Sequence, residues 1–181
     1  VGDYSFFGFT SPLKGFRYRA EVEPMLGSLN YLTVGADYRH YIFLQYATIA
    51  FRLLHKGRYF GDSEDTRIGY YNLGNPYGSP GFVRGYEWYS FTTDECTYNS
   101  KGEMICPVYT RLLGTKKVVG NVELRIPVVG NSQIGFINFP YLPMTLVGFL
   151  DAGMAWTRDE PPEFLIQSRS TKRTPVFSVG G

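Results

Sequence analysis

The sequence predicts an all-β fold, namely an antiparallel transmembrane β-barrel with a long loop folded into its lumen. Glu123 and Asp151 each lie in a strand-like segment, on the face opposite a row of apolar residues. Arg84 lies in the glycine-rich segment 81–86. A loop arginine and carboxylates on nearby strands can hold such a loop in a barrel, because one guanidinium group can pair with two carboxylates.

The bulk composition indicates an ordered protein without a transmembrane helix. Hydrophobic residues make up 44% of the 181 residues and charged residues 19%, which excludes a disordered chain. The mean hydropathy is −0.16. No run of about 18 apolar residues occurs, so a membrane-spanning helix is excluded, whereas alternating membrane strands are not. The 18 basic and 16 acidic residues are too evenly balanced to favour nucleic-acid binding.

Period-two alternation predicts the first three strands, over 14–24, 31–39 and 46–56. In each of them, apolar and polar side chains fall on opposite faces. In the first strand, the apolar set opposes a charged set: Phe16, Tyr18, Ala20 and Val22 against Arg17, Arg19, Glu21 and Glu23. Because the connections are short, the three strands are expected to form an antiparallel meander.

The segment 57–113 is predicted to be one long extracellular loop. It contains clusters of Gly, Pro, Asn, Asp and Ser and has no sustained hydrophobic period. Structureless segments of this length are unusual in compact domains, and they are normally functional or disordered. The many Tyr, Phe and Trp residues of this segment argue against disorder. The lumen of a barrel is a surface on which they can pack.

Three further strands are predicted after this loop. They cover 117–128 and 143–156, with a turn region at 129–142 between them, and the last begins near Thr174. Trp156 closes the apolar face of the second of these strands. This position is typical of the aromatic girdle of a membrane barrel.

Six strands are too few for a complete membrane barrel. Single-chain bacterial barrels have at least about eight strands, and lipid does not tolerate an open sheet edge. Residues 1–181 are therefore interpreted as the C-terminal part of one barrel domain, with an N-terminal domain and the last strands outside this chain. The start at Val1, without Met, fits this interpretation.

Cys96 and Cys106 lie in one polar stretch and are predicted to form a local disulfide. His40 and His55 are distant in sequence, and nothing nearby supplies two further zinc ligands. A disulfide indicates an oxidising location such as the periplasm or the cell surface. Closing so short a loop contributes about 2–3 kcal/mol in the chain-entropy model. The alternative is two free thiols that happen to be close in sequence.

No metal, cofactor or catalytic site is predicted, and an enzyme is the least favoured class. His40 and His55 lack the spacing of a metal or catalytic set, and we find no nucleophile elbow or phosphate-binding glycine loop. Asp62, Glu64 and Asp65 form a small acidic cluster. A cation site and a solvated loop are the two interpretations of this cluster, and the solvated loop is favoured.

From about Lys14 to Gly181, the chain resembles the BamA-like superfamily of outer-membrane proteins, also called the bacterial surface antigen family. It is similar to the C-terminal half of the family's sixteen-stranded barrel. Members include barrel insertases and the transporters of two-partner secretion. The sixth extracellular loop of the family carries an Arg-Gly-aromatic motif, which matches Arg84, Gly85 and Tyr86.

The resemblance implies a loop latch. In the family, this loop folds into the barrel, and its arginine contacts acids on the two following strands. Those acids map to Glu123 and Asp151, so the implied latch residues are Arg84, Gly85, Tyr86, Glu123 and Asp151.

The simpler interpretation, without the resemblance, is that Arg84 is an exposed loop residue. Glu123 and Asp151 would then form ordinary ion pairs with Arg125 and Arg52.

The function implied by the resemblance is the assembly or translocation of β-proteins or other polypeptides at the bacterial outer membrane. The implied partners are outer-membrane lipid, client β-barrel proteins and other outer-membrane or periplasmic subunits. Two alternatives stay open: a structural or complex-forming outer-membrane barrel that handles no client, and a soluble β-sandwich binding module. The chain departs from the family in having Gly74-Asn75 where a glycine pair is often found, and no POTRA domain is recognised in it.

Overall fold

The computed structural model of the protein describes residues 1–8, 11–74, 82–86, 96–98, 104–130, 135–139, 141–164 and 173–181. These residues form short and long strands, one α-helix, α1 (Pro107–Arg111), and one 3-10 helix (Thr66–Ile68). The strands are β1 (Gly2–Asp3), β2 (Phe6–Phe7), β3 (Pro12–Met25), β4 (Tyr31–Phe43), β5 (Thr48–Tyr59), β6 (Tyr71–Asn72), β7 (Thr97–Tyr98), β8 (Met104–Ile105), β9 (Leu113–Gly114), β10 (Lys116–Gly130), β11 (Ile137–Asn138), β12 (Met144–Trp156) and β13 (Val176–Gly180). Among the described residues, we find no helix with the length and apolar character needed to cross a bilayer.

Nine of these strands form one sheet, which confirms the prediction of a mostly antiparallel all-β fold. The strand order along the sheet is β1-β3-β4-β5-β10-β12-β13, with β2 paired to β3 and β11 to β10. The pairings are antiparallel except for that of β11 with β10. Within the described ranges, no pairing joins β13 back to β1 or β3, so the sheet is open.

The six strands predicted from alternation are present, and they are longer than or close to their predicted bounds. The strands β3, β4 and β5 form the expected meander, and β10 and β12 cover 117–128 and most of 143–156. The strand β4 continues to Phe43 because that residue still pairs with Thr48 of β5. Cross-strand pairing therefore extends the strands past the point where the alternation becomes irregular.

The described residues of the segment 57–113 contain more regular structure than the sequence pattern suggests. Its first three residues belong to β5, and Tyr71–Asn72 pairs with Leu113–Gly114 as a two-stranded sheet of β6 and β9. A second small pair is formed by β7 and β8, and α1 follows. Pairings of two residues are too short to produce a detectable hydrophobic period, and the same applies to β11 in the predicted turn region.

The predicted disulfide is confirmed. Cys96 and Cys106 are bonded across a sequence separation of 10 residues, with their Cα atoms 4.1 Å apart. The bond closes the segment that contains β7 and β8, and Cys106 immediately precedes α1. It therefore closes a short segment within the long loop, just before the point where the chain returns toward the sheet.

One face of the large sheet, which we call the apolar face, carries large hydrophobic side chains that are exposed. Strand pairing aligns Phe51, Val122, Leu150 and Val179 in one row across β5, β10, β12 and β13. These side chains are 41%, 38%, 51% and 80% exposed. Further members of this face are Phe16, Tyr18, Val22, Tyr38, Ile42, Leu53, Leu124, Leu146 and Phe177. An apolar surface this extensive is unusual on a soluble monomer.

The opposite face, the polar face, carries charged residues and the small buried core. In this core, Leu73, Val83 and Leu112 from the long loop pack against Val119, Ala155 and Val176 of the strands. Gly153 allows this contact, because a Cβ atom at that position would lie 2.5 Å from Val83 Cγ2. The core therefore places residues 82–86 directly against the polar face.

Candidate loop-docking site

Arg84 binds the carboxylate of Asp151 at the centre of the polar face. Its Nε and Nη2 atoms donate to Asp151 Oδ2 and Oδ1, at 2.7 Å each. The backbone N–H of Arg84 donates a third hydrogen bond to Oδ2, at 3.1 Å. Since the side chain of Asp151 is 0% exposed, its charge depends on these donors for stabilisation.

The same guanidinium group also reaches the neighbouring strand. Nη1 of Arg84 lies 2.8 Å from Glu123 Oε1. Glu123 Oε2 accepts from Nε and Nη2 of Arg125, at 2.9 and 2.7 Å. Arg84 therefore bridges β10 and β12, and two arginines balance two carboxylates.

Asn121 completes the docking cluster, the name we use for Arg84, Asn121, Glu123 and Asp151. It is the direct cross-strand partner of Asp151. Its Nδ2 donates to Asp151 Oδ1 at 2.8 Å and to the backbone oxygen of Phe82 at 2.9 Å. Asn121 was not predicted as a site residue, although its place on the polar face two residues before Glu123 is a signal that could have identified it.

Two aromatic rings extend the contact between loop and sheet. The guanidinium carbon of Arg84 lies 3.7 Å from the ring centroid of Phe149. Nζ of Lys117 lies 3.6 Å from the ring centroid of Phe82. Both are cation–π distances, and the second is desolvated because Lys117 is only 4% exposed. Neither aromatic residue was predicted as a site residue. Phe82 is one of many aromatic residues of the long loop, and a ring on the polar face of a strand, such as that of Phe149, has no specific sequence signature.

Gly85 and Tyr86 follow Arg84 along the sheet toward β13. Gly85 has φ +83°, a left-handed conformation that favours glycine. The Tyr86 hydroxyl donates to the backbone oxygen of Phe177 at 3.1 Å. The segment passes very close to another part of the loop, because a Cβ atom at Gly74 would lie 2.2 Å from the Tyr86 backbone oxygen. The three motif residues therefore contact the sheet as one continuous segment.

Arg84 remains charged in this site. The hydrogen bonds to Asp151 raise the pKa of Arg84 above its ordinary value, and this effect outweighs the burial that lowers it. Arg84 therefore forms ion pairs with Asp151 and Glu123 at any pH at which these two carboxylates are ionised.

The structure brings Arg84, Glu123 and Asp151 together, as the resemblance implied. The simpler pairing scheme is present only in part. Glu123 does pair with Arg125, but Arg52 donates to Asp37 at 3.1 and 2.9 Å.

The acidic cluster binds protein groups in three separate directions. Asp62 accepts from the backbone N–H of Asn30 at 2.8 Å, and Asp65 pairs with Arg67. Hydrogen bonds from Arg67 lower the pKa of Asp65 to about 2. Glu64 Oε1 accepts hydrogen bonds from Lys116 Nζ and from the Thr115 hydroxyl, at 2.7 Å each. In the described part of the chain, no group of three His, Cys, Asp or Glu side chains is arranged to hold a metal ion.

The two histidines contact aromatic residues. A ring nitrogen of His40 lies 3.2 Å from the Tyr38 hydroxyl. His55 lies 2.8 Å from the Tyr59 hydroxyl and stacks on Trp156 at a centroid distance of 6.1 Å. These contacts place both histidines beside aromatic residues of the apolar face.

No family model matches the chain, and comparison with curated proteins and with solved structures finds no significant match.

Proposed function

We propose that the chain is part of an outer-membrane β-barrel of the BamA-like superfamily and that this barrel assembles or translocates β-proteins or other polypeptides at the bacterial outer membrane. The observation that carries the proposal is the docking of Arg84 on two strands of a sheet whose other face is apolar and exposed. A soluble β-sandwich would bury that face against a second sheet.

The apolar face has dimensions suited to lipid. The strand β12 makes 12 steps from Met144 to Trp156, so it extends about 40 Å at about 3.3 Å per residue. Tilted by about 40°, as barrel strands are, it would cover about 30 Å along the membrane normal. This matches the thickness of the hydrocarbon core of a bilayer, roughly 30 Å.

Aromatic residues lie at both ends of this face, where a membrane barrel has its interfacial girdles. At one end are Trp156 and the Tyr59 hydroxyl, both in contact with His55. Toward the other end, three further ring pairs occur: Tyr4 with Phe16 at 5.0 Å, Tyr46 with Phe136 at 5.7 Å, and Phe139 with Tyr141 at 5.8 Å. Tyr and Trp suit these depths because one end of each side chain is apolar and the other is polar.

Within this proposal, the docking cluster keeps the loop in the barrel lumen. The loop fills space beside the strands, while the arginine neutralises Asp151, a carboxylate that would otherwise be unpaired in a low-dielectric interior. The handling of client polypeptides is inferred from the resemblance alone, since a fold does not define an activity.

The membrane location is tested by extracting the full-length gene product and running it with and without heating on a denaturing gel. We expect it to require detergent and to migrate differently after heating, because a closed barrel resists unfolding in detergent until heated. A product that is soluble without detergent and shows no heat-dependent shift would favour the soluble binding module instead.

The client function is tested separately by depleting the protein in its native bacterium and measuring the folded amounts of other outer-membrane β-proteins or of a secreted polypeptide. We expect at least one of these to decrease. If the protein is heat-modifiable and its depletion changes neither, the structural or complex-forming barrel is the better proposal.

A further inference from the structure

A cavity of about 230 Å³ lies on the polar face, beside the docking cluster. Four arginines line it, namely Arg39, Arg52, Arg84 and Arg125. An adjoining basin of about 610 Å³ shares three of them and adds Arg17. Arginine is the side chain best suited to planar recognition of carboxylates and phosphates.

The carboxylates around the cavity do not balance these arginines. Asp37 serves both Arg39 and Arg52, with an N–O distance of 2.9 Å to each. The other two arginines are balanced by Glu123 and Asp151 of the docking cluster. Four guanidinium groups therefore face three carboxylates, which leaves an excess of one positive charge.

Two of the guanidinium groups keep donors turned away from their carboxylates. Arg52 holds Asp37 through Nε and Nη2, and Arg125 holds Glu123 through the same two atoms. A guanidinium group has five N–H donors in one plane, so this side-on pairing leaves the Nη1 edge facing elsewhere. No hydrogen bond between described residues uses Nη1 of Arg52 or Arg125.

A buried acceptor belongs to Asn121, one of the residues that line the same cavity. The Nδ2 atom of Asn121 donates to two oxygen atoms, those of Phe82 and Asp151, which defines the orientation of the amide. Its Oδ1 atom is buried and has no hydrogen-bond partner among the described residues. Buried polar atoms of this kind normally have a partner, and the partner required here is a donor.

We propose that this cavity binds a small anion that also carries a hydrogen-bond donor, such as a phosphate or a hydroxycarboxylate. The anionic oxygens accept hydrogen bonds from Nη1 of Arg52 and Arg125. The hydroxyl group donates to Asn121 Oδ1 after a small shift of the side chains that cover this atom, because Oδ1 has almost no accessible surface in the structure. The proposal depends on the polar face alone and is independent of what contacts the apolar face. Hydrogen phosphate combines acceptor oxygens and a hydroxyl in one group, so it is the probe of choice.

The test is a phosphate titration of the purified full-length protein by calorimetry, with thermal unfolding in phosphate and in chloride at matched ionic strength. We expect saturable binding and a higher unfolding midpoint in phosphate. Arg52→Gln and Arg125→Gln should each weaken the affinity about tenfold, because each removes one charged donor group.

Both variants keep every carboxylate paired, since Asp37 retains Arg39 and Glu123 retains Arg84. The two substitutions lie on different strands, so the effect on phosphate affinity can still be measured with one variant if the other does not fold. Arg67→Gln is the matched control, because Arg67 is exposed and pairs with Asp65 away from the cavity. Absence of phosphate binding by the wild-type protein would overturn the proposal, as would equal affinities in all three variants.

Discussion

Two of the ion pairs that attach the long loop to the sheet use the same chemistry in different surroundings. The first joins Arg84 to Asp151, whose side chain is 0% exposed. The second joins Glu64 to Lys116 at 2.7 Å, and these side chains are 24% and 12% exposed. Burial rather than distance distinguishes the two attachments, because both pairs have the same N–O separation.

The two attachments also differ in what remains after one partner is lost. Glu64 Oε1 accepts from Lys116, from the Thr115 hydroxyl and from the backbone N–H of Arg158, and solvent can replace any of these donors. Asp151 has no exposed surface, so an unpaired charge there would have to be accommodated without solvent. An ion pair that is partly exposed, such as Glu64–Lys116, therefore contributes little to stability. The loss of one partner from a buried pair, such as Arg84–Asp151, is strongly destabilising.

The largest effect is expected for Arg84→Ala. The substitution leaves Asp151 and Glu123 without their loop partner, so the free energy of unfolding should fall by about 3–5 kcal/mol. The loop should also become more sensitive to protease. Denaturant unfolding and limited proteolysis measure the two effects. Arg67→Ala is the control, since Arg67 is 71% exposed. Unchanged protease sensitivity in Arg84→Ala would contradict the assignment of Arg84 as the attachment point.

A smaller effect is expected for Gly153→Ala, which disturbs the packing beside Arg84 without changing any charge. The added Cβ atom would lie 2.5 Å from Val83 Cγ2 and 3.3 Å from Leu73 Cδ2. Overpacking of this kind costs about 1–3 kcal/mol. Gly148→Ala is the matched control on the same strand, because its Cβ atom would meet nothing within 4 Å. Equal unfolding midpoints for the two variants would show that the loop is not packed tightly there.

The smallest effect on the free energy of unfolding is expected for Glu64→Gln, in the partly exposed ion pair with Lys116. The amide oxygen can still accept from Thr115 and Arg158, so the loss should stay below about 1 kcal/mol. The loss should also shrink at high salt, because the contribution of a partly exposed ion pair is screened. Denaturant midpoints at low and high salt test this. If Glu64→Gln lowered the free energy of unfolding as much as Arg84→Ala, and independently of salt, the two attachments would not differ in strength as we infer.

The family resemblance implied the attachment at Arg84, whereas no feature of the sequence indicated the one at Glu64. The resemblance rests on the order and spacing of the segments that contain Arg84, Glu123 and Asp151. Glu64 lies among other acids in a segment without periodicity. Its role depends on Lys116, 52 residues later, and no local pattern links the two.

The sequence by itself determined the strands, their two faces and the local disulfide. Alternation with a period of two depends only on neighbouring residues, and Cys96 and Cys106 are close in the chain. Tertiary structure alone decided the contacts of the docking cluster. Asn121 meets Asp151 because of strand register, and Phe149 lies under Arg84 because the loop packs on Gly153. Register and packing join residues that are far apart in sequence, so they emerge only when the whole sheet is assembled.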